Sequence, residues 1–393
     1  MAADKQPNVL LRLWRNKETR SVIIQIVTIA LLFAFFAYIV HNAVLNLERL
    51  GKTFSFSFLW EPASYDINQT LIEYTSRSTH FRAMLVGILN TALVAFCGVV
   101  TATILGFILG VIRLSHNWLA ARLVYVFIEF TRNVPVLLEI LLIYGVIVHV
   151  LPVPKEALSL GDSFFLTNRG VFIPKPLFAE GFDFTTIAFV LSIVGAWAFS
   201  RWARKRQEAT GHILPVFWIC LGIIIGLPLI VFLASGAPLS WEIPKLGRFN
   251  LRGGLVLAPE FLALWLALSL YTSAFIAEIV RAGILAVSKG QWEAAEALGI
   301  NRGRILSLVI IPQALRVIIP PLASQYLNLT KNSSLAIAIG YMDIVATIGG
   351  ISMMQTGKEM ESMILVLGIY LAFSLVISTF MNWYNRRIKL VER

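Results

Sequence analysis

A stripe of polar side chains interrupts an otherwise apolar stretch at residues 318–340. Its members recur at the spacing of one helical face and its immediate neighbours. They are Gln325, Asn328, Lys331, Asn332, Ser333 and Ser334. A lysine within a bilayer costs at least about 2.5–3.5 kcal/mol unless water or an anion meets it. The stripe therefore favours a polar cavity in which Lys331 meets a carboxylate, and the alternative is a helix–helix contact in which a nearby acid neutralises Lys331.

Arg132 is the second candidate for binding a carboxylate, because a guanidinium offers two parallel donors. Glu139 lies seven residues later on roughly the same helical face, and Glu129 lies three residues earlier. A pair between Glu129 and Arg132 would be purely structural, so both readings stay open. Glu278 and Arg281 are also three residues apart, and this spacing predicts an ion pair.

The segment from Gly290 to Pro312 predicts a helix, a turn and a second helix. Glu293, Ala294 and Ala295 favour helix, and Gly299 suits a left-handed cap. Ile300 to Ile311 supplies the second helix, which is expected to stop near Pro312. On physical grounds alone, the segment could also be a helical hairpin that packs only on its own chain.

Signatures of soluble catalysis do not occur in the sequence. It has no phosphate-binding loop, no dinucleotide-binding glycine pattern and no metalloprotease motif. The five histidines are scattered, and Cys97 and Cys220 lie separately in apolar runs, so neither a metal site nor a disulfide framework is expected. The chain is therefore not expected to be an enzyme or to bind a cofactor.

Composition places the chain in a membrane. Of its 393 residues, 58% are hydrophobic and 14% are charged, whereas about a quarter are charged in soluble domains. The mean hydropathy is +0.77. The net charge of +11 resides in short basic segments between apolar runs. This distribution indicates cytoplasmic loops and argues against binding to nucleic acid.

Eight apolar stretches are predicted to span a bilayer, and the one at 185–200 is short for a span. The first, from Ser21 to Ala43, has no cleavage site after it and is expected to be a retained helix. The others lie at about 83–112, 121–150, 185–200, 213–234, 260–284, 318–340 and 361–382. Pro320 and Pro321 are expected to unwind the start of the seventh stretch.

The distribution of basic residues sets the orientation. Arg201, Arg204, Lys205 and Arg206 form a compact cluster next to an apolar stretch, which is typical of the cytoplasmic side. Eight spans then place both termini in the cytoplasm. The connections at 44–82, 151–184, 235–258 and 341–360 are expected outside, as ordered loops.

The 290–312 segment resembles the EAA loop of ATP-binding-cassette (ABC) importer permeases. In that family, Glu-Ala-Ala is followed after three residues by Gly and after nine more by Ile-x-Leu-Pro. Here Glu293-Ala294-Ala295 and Gly299 lead to Val309-Ile310-Ile311-Pro312. Further segments resemble the branch of general L-amino-acid and glutamate/glutamine/aspartate/asparagine permeases. They are 87–91, 131–139, 277–284, 312–316 and 331–335.

The resemblance implies an all-α polytopic membrane protein with a type I ABC importer permease core. Residues 1–82 would form a cytoplasmic tail, the first span and an external loop. Residues 83–385 would form the permease domain, with an inserted region at about 150–260, and 386–393 would form a cytoplasmic tail. Glu293, Ala294, Ala295, Gly299 and Arg302 would contact the ATPase. Gln325, Asn328, Lys331, Asn332, Ser333, Ser334, Arg132 and Glu139 would line the translocation path.

The implied function is translocation of polar L-amino acids across a bacterial inner membrane by alternating access. The partners would be two copies of an ABC ATPase carrying ATP and Mg, a related but non-identical permease and a periplasmic amino-acid-binding protein. The neutral Asn332 favours broad, acidic or neutral substrates over basic ones. The main alternative is a secondary amino-acid transporter driven by an ion gradient, which would leave the EAA-type spacing unexplained.

Overall fold

A computed structural model describes residues 16–49, 51, 53–248 and 250–388. The ends of the predicted tails, 1–15 and 389–393, lie outside the described residues. Helix α1, Lys17–Arg49, contains the first predicted span. None of its most apolar 18-residue stretch is buried within the protein. This helix therefore exposes apolar side chains all round, as a lipid-facing span does.

Helix α2, His80–Arg113, confirms the second predicted span. The stretch at 121–150, predicted as one span, is instead two helices, α3 (Trp118–Asn133) and α4 (Val136–Val150). Their axes differ by 109° across the break. The residues between them are the cause, because Val134 is extended and Pro135 cannot donate a helical hydrogen bond. The stretch predicted as the third span is thus a bent helix pair, which counts as one span only if both helices together cross the membrane.

Helices α5, Phe182–Thr210, and α6, Val216–Ala234, form an antiparallel pair. They pack mainly against each other. No residue of α6 is buried. A connection of five residues, 211–215, joins them. It begins with Gly211, whose φ is +71°. Both helices are long and apolar enough to span a membrane.

Short strands occupy the connections around this helix pair, which the sequence had predicted as ordered loops. Strands β1 to β4 precede α5, and β5 to β8 follow α6. They are Leu158–Leu160, Phe164–Thr167, Gly170–Ile173, Lys175–Phe178, Leu239–Glu242, Lys245–Leu246, Leu251–Arg252 and Leu255–Leu257. One antiparallel sheet has the order β1-β2-β3-β8, and β4 pairs with β5 and β6 with β7. The pairing brings the two ends of the predicted insertion together.

Helix α7, Pro259–Leu285, leads to the short helix α8, Lys289–Ala297. After a turn, α9 (Arg302–Ile305), a π-helical turn (Leu306–Ile310) and α10 (Ile311–Asn332) follow without a break. The expected stop at Pro312 was wrong, because the helical segment continues through this proline, which follows the π-helical turn. Pro320 and Pro321 lie inside the helix and do not unwind it.

The chain then winds through a 3₁₀ helix, Ser333–Ile339, and a π-helical turn, Val345–Ser352. Helix α11, Met353–Thr356, and the long helix α12, Glu359–Ile388, complete the described structure. Within the described residues, seven helices are long and apolar enough to span a membrane, or eight if the bent α3–α4 pair counts as one. The predicted polytopic helical fold is confirmed, with small sheets added.

The packed core lies where α2 crosses α7. Small residues allow these two helices to approach closely, as in other membrane bundles. A Cβ atom on Gly110 would lie 2.8 Å from the Ala277 carbonyl oxygen and 2.8 Å from Val280 Cβ. Leu264, Leu268 and Ile276 of α7 are completely buried. Helices α4 and α10 also pack on α7, which makes α7 the centre of the bundle.

Gly110→Ala should therefore destabilise the protein by about 1–3 kcal/mol, because the added methyl group meets backbone on α7. Gly222→Ala is the matched control, since a Cβ at that helical glycine has no neighbour within 4 Å. The control should be neutral or stabilising. Thermal unfolding in one detergent measures both variants, and equal midpoints for Gly110→Ala and the wild type would contradict the close packing.

Candidate functional site

One face of α10 carries exposed polar side chains. Ser324, Asn328 and Lys331 lie on it at intervals of four and three residues, and all three are exposed. Gln325 and Asn332 flank this face and are half-buried. Among the described residues, the Lys331 ammonium takes part in no ion pair. The alternative reading, in which a nearby acid neutralises Lys331, is therefore not seen among the described residues, and the lysine is available to an external anion.

Ser333 and Ser334 differ in exposure, because Ser334 is half-buried and Ser333 is buried. Ser334 Oγ donates to the Lys331 carbonyl at 2.8 Å and so closes the last turn of α10. Ser333 is completely buried, and its Oγ donates to the Thr330 carbonyl at 2.7 Å. The Tyr370 hydroxyl lies 3.3 Å from Ser333 Oγ. Ser333 thus fastens the end of α10 to α12 in this conformation.

Asp343, which the sequence analysis did not single out, anchors this region. Its side chain is completely buried. Oδ1 accepts from the Ala346 amide at 2.8 Å, and Oδ2 accepts from the Tyr370 hydroxyl at 3.2 Å. An acid in the apolar run Tyr341–Ile344 was the available signal, because buried carboxylates need such partners.

Asn90 and Thr91 of α2 extend the hydrogen-bond network around Asp343. Asn90 Nδ2 donates to the carbonyls of Gln69 and Met342, at 3.0 and 2.9 Å. The Tyr341 hydroxyl donates to the Asn90 carbonyl at 3.1 Å, and the Ile344 amide donates to Thr91 Oγ1 at 3.2 Å. Asn90 and Thr91 belong to the 87–91 segment of the sequence resemblance, so here that segment has a packing role.

Arg132 and Glu139 lie on opposite sides of the break between α3 and α4. The Arg132 guanidinium lies 5.5 Å from the centre of the Phe275 ring on α7. Within the described residues, Arg132 forms a salt bridge with neither Glu129 nor Glu139. Glu139 is only 8% exposed. The alternative pairing of Glu129 with Arg132 was wrong in this conformation, because cation–π contact with Phe275 holds the guanidinium instead.

The predicted ion pair at the end of α7 is confirmed. Arg281 Nε lies 3.0 Å from Glu278 Oε2. Arg113, at the end of α2, also forms a salt bridge with Glu278. The Arg113 guanidinium lies 4.7 Å from the centre of the Tyr125 ring on α3. These contacts join the ends of α2 and α7 to the middle of α3, close to the segment that leads into α8.

Helix α8 ends in a Schellman motif. Gly299 has φ +72°, the left-handed region that glycine adopts without strain. The Gly299 amide donates to the Glu296 carbonyl at 2.9 Å, and the Ile300 amide donates to the Ala295 carbonyl at 3.3 Å. These two bonds satisfy carbonyls at the helix end. The predicted left-handed cap at Gly299 is therefore confirmed.

The faces of α8 differ in exposure. Ala295 is buried against the core, whereas Glu293 and Ala294 are exposed. Gln313 Nε2 donates to Gln291 Oε1 at 3.1 Å, which ties α8 to α10. The side chain of Arg302 lies outside the described part of the structure. The helix is thus held to the bundle by Ala295 and Gln291 and presents Glu293 and Ala294 outward, as a docking element would.

The described residues contain no cluster of histidine, cysteine or acidic side chains suited to a metal ion. They do combine spanning helices, one helix with a polar exposed face and a short exposed helix at the end of the bundle. This combination is that of a polytopic membrane transport protein.

Comparisons with known proteins agree with that class. A family described as "Binding-protein-dependent transport system inner membrane component" matches residues 210–390. The chain is 51% identical to the general L-amino acid transport system permease protein AapQ of Rhizobium johnstonii, over 95% of this chain and 93% of the relative. It is 47% identical to the glutamate/glutamine/aspartate/asparagine transport system permease protein BztB of Rhodobacter capsulatus, over 95% of each chain.

A third relative is the putative amino-acid ABC transporter permease protein YhdX of Escherichia coli, with 47% identity over 96% of each chain. The chain belongs to the family of amino-acid ABC importer permeases. As such it is an inner-membrane transport component, and a separate subunit hydrolyses ATP. The resemblance based on the EAA loop is thereby confirmed.

Proposed function

We propose that this chain forms half of a translocation path for polar L-amino acids and couples that path to an ATPase through α8. The observation that carries the proposal is the exposed helix closed by Gly299, in a chain whose relatives are amino-acid permeases. A secondary transporter driven by an ion gradient would have no use for such a docking helix. Alternating access driven by ATP is the mechanism we infer.

The substrate class follows from the relatives and from α10. One relative is named for glutamate, glutamine, aspartate and asparagine, and another for general L-amino acids. Lys331 supplies a cation that can bind the α-carboxylate shared by all of them. Asn328 and Asn332 are neutral and add no charge that would select basic side chains. Gln325, Asn328, Lys331, Asn332, Ser334 and Arg132 remain our candidates for the path.

The proposed assembly has two ATPase subunits, a periplasmic amino-acid-binding protein and a second permease. We infer that the second permease is related but not identical. Rhodobacter capsulatus has two permeases under one system name, BztB and BztC, and this chain is 47% and 30% identical to them over 405 and 172 aligned residues. The polar face of α10 would meet the second permease across a shared cavity.

We further propose that both termini and the α5–α6 connection are cytoplasmic. The cluster from Arg201 to Arg206 lies at that end of α5, and the bias of basic residues supports this side. The sheets around β1 to β8 would then lie outside. The permease domain at 83–385 with an insertion at about 150–260 is supported by the way α5 and α6 pack mainly on each other.

Gly299→Ala should weaken coupling to the ATPase. A side chain at φ +72° is strained by about 1 kcal/mol or more, so the equilibrium constant that favours a correctly oriented α8 should fall roughly fivefold. Substrate-stimulated ATP hydrolysis of the reconstituted complex should fall accordingly, with normal insertion of the chain. Gly290→Ala is the control, because Gly290 has no close neighbour and no positive φ. Full coupled hydrolysis in Gly299→Ala would contradict the role of α8.

Lys331→Met should weaken binding of every transported amino acid, because all share the α-carboxylate. Losing a hydrogen bond to a charged group reduces affinity by about ten- to a hundredfold. Binding should be measured on the permease–ATPase complex without the binding protein, which would otherwise determine the apparent affinity. Lys175→Met, at an exposed lysine on β4, is the control. Unchanged affinity in Lys331→Met would exclude Lys331 from the site.

A further inference from the structure

Glu139 occupies an unusual place at the break in the third span. Helix α4 begins at Val136 after the extended residue Val134 and Pro135. Glu139 lies in the first turn of α4, where its own amide donates to the Pro135 carbonyl at 3.4 Å. Breaks of this kind in transport proteins place half-helix ends and polar groups at ligand sites. Glu139 therefore lies at the kind of position where transport proteins bind ligands.

One oxygen of the Glu139 carboxyl is buried without a partner among the described residues. The residue is only 8% exposed, and its Oε1 atom is buried without a hydrogen-bond partner among the described residues. Arg132, the nearest cation along the chain, stacks on Phe275 instead. Buried polar groups in native proteins nearly always have partners. We infer that the partner of this buried Oε1 atom comes from outside the chain.

The position of α4 suggests which partner. Helix α4 packs on α7 and on the 3₁₀ helix Ser333–Ile339. That 3₁₀ helix continues directly from Lys331 and Asn332. An amino acid is a zwitterion, so a site that binds its carboxylate through a lysine needs an acceptor for its ammonium group. Glu139 is an acidic side chain on the element that packs beside the end of α10.

We propose that Glu139 binds the α-ammonium group of the transported amino acid and so selects α-amino acids over analogues without that group. The inference rests on the proposed function, in which Lys331 binds the carboxylate. In the conformation described here Glu139 is closed off from solvent. The carboxyl would become accessible when the helices around the break separate during the transport cycle.

The test compares L-glutamine with its α-hydroxy analogue, in which a hydroxyl group replaces the ammonium group. Binding of both probes is measured on the complete permease–ATPase complex without the binding protein. The wild type should prefer L-glutamine by about ten- to a hundredfold, the value of one charge-assisted hydrogen bond. Glu139→Gln should abolish this preference by weakening L-glutamine alone. Glu139→Asp retains the charge and should retain part of the preference.

Glu129→Gln is the matched control, because Glu129 is a half-buried acid in the same broken span and should leave the preference unchanged. If Glu139→Gln keeps the wild-type preference, or weakens both probes equally, the proposal is wrong. Should Glu139→Gln fail to assemble, a partly reduced preference in Glu139→Asp supports the proposal, and an unchanged preference overturns it. Lys331→Met separates the two claims, since it should weaken both probes, which each carry the carboxylate.

Discussion

The close approach of α2 to its neighbours is the contact on which the rest of the structure depends. On one side, Gly110 lets α2 lie against the backbone of α7. On another, Asn90 and Thr91 bind the backbone at 342–344, which allows the buried Asp343 to bind Tyr370. Tyr370 in turn contacts Ser333 at the end of α10. The helix that bears Lys331 is thus held from its inner side, which leaves its polar face exposed.

The helical segment that contains α10 connects α8 with Lys331. The helical segment from Gly303 to Ile339 is continuous, and its 37 residues are enough to cross a membrane. One end adjoins α8, to which the Gln291–Gln313 hydrogen bond ties it, and the other end contains Lys331. A displacement of α8 by an ATPase would therefore act directly on the helix that bears Lys331, without an intervening loop.

Much of this architecture could be predicted from the sequence, because bilayer spans and the Gly299 turn depend on local patterns. What could not be predicted depends on tertiary contacts. Pro320 and Pro321 remain helical because a membrane bundle can compensate for the lost hydrogen bonds. The break at Val134 and Pro135 was hidden within one long apolar run. Asp343 became recognisable as an anchor only through its partners Ala346 and Tyr370, and the strand pairs at 158–178 and 239–257 join segments distant in the sequence.

The central claim is that ATP hydrolysis by a partner drives amino acids through this permease. The most direct measurement is uptake of labelled L-glutamine into proteoliposomes that contain this chain, a related permease and the ATPase, with the amino-acid-binding protein outside. Our account predicts uptake that requires ATP on the ATPase side and the binding protein, and that persists when ionophores collapse all ion gradients. Accumulation driven by a sodium or proton gradient in the absence of nucleotide would contradict it.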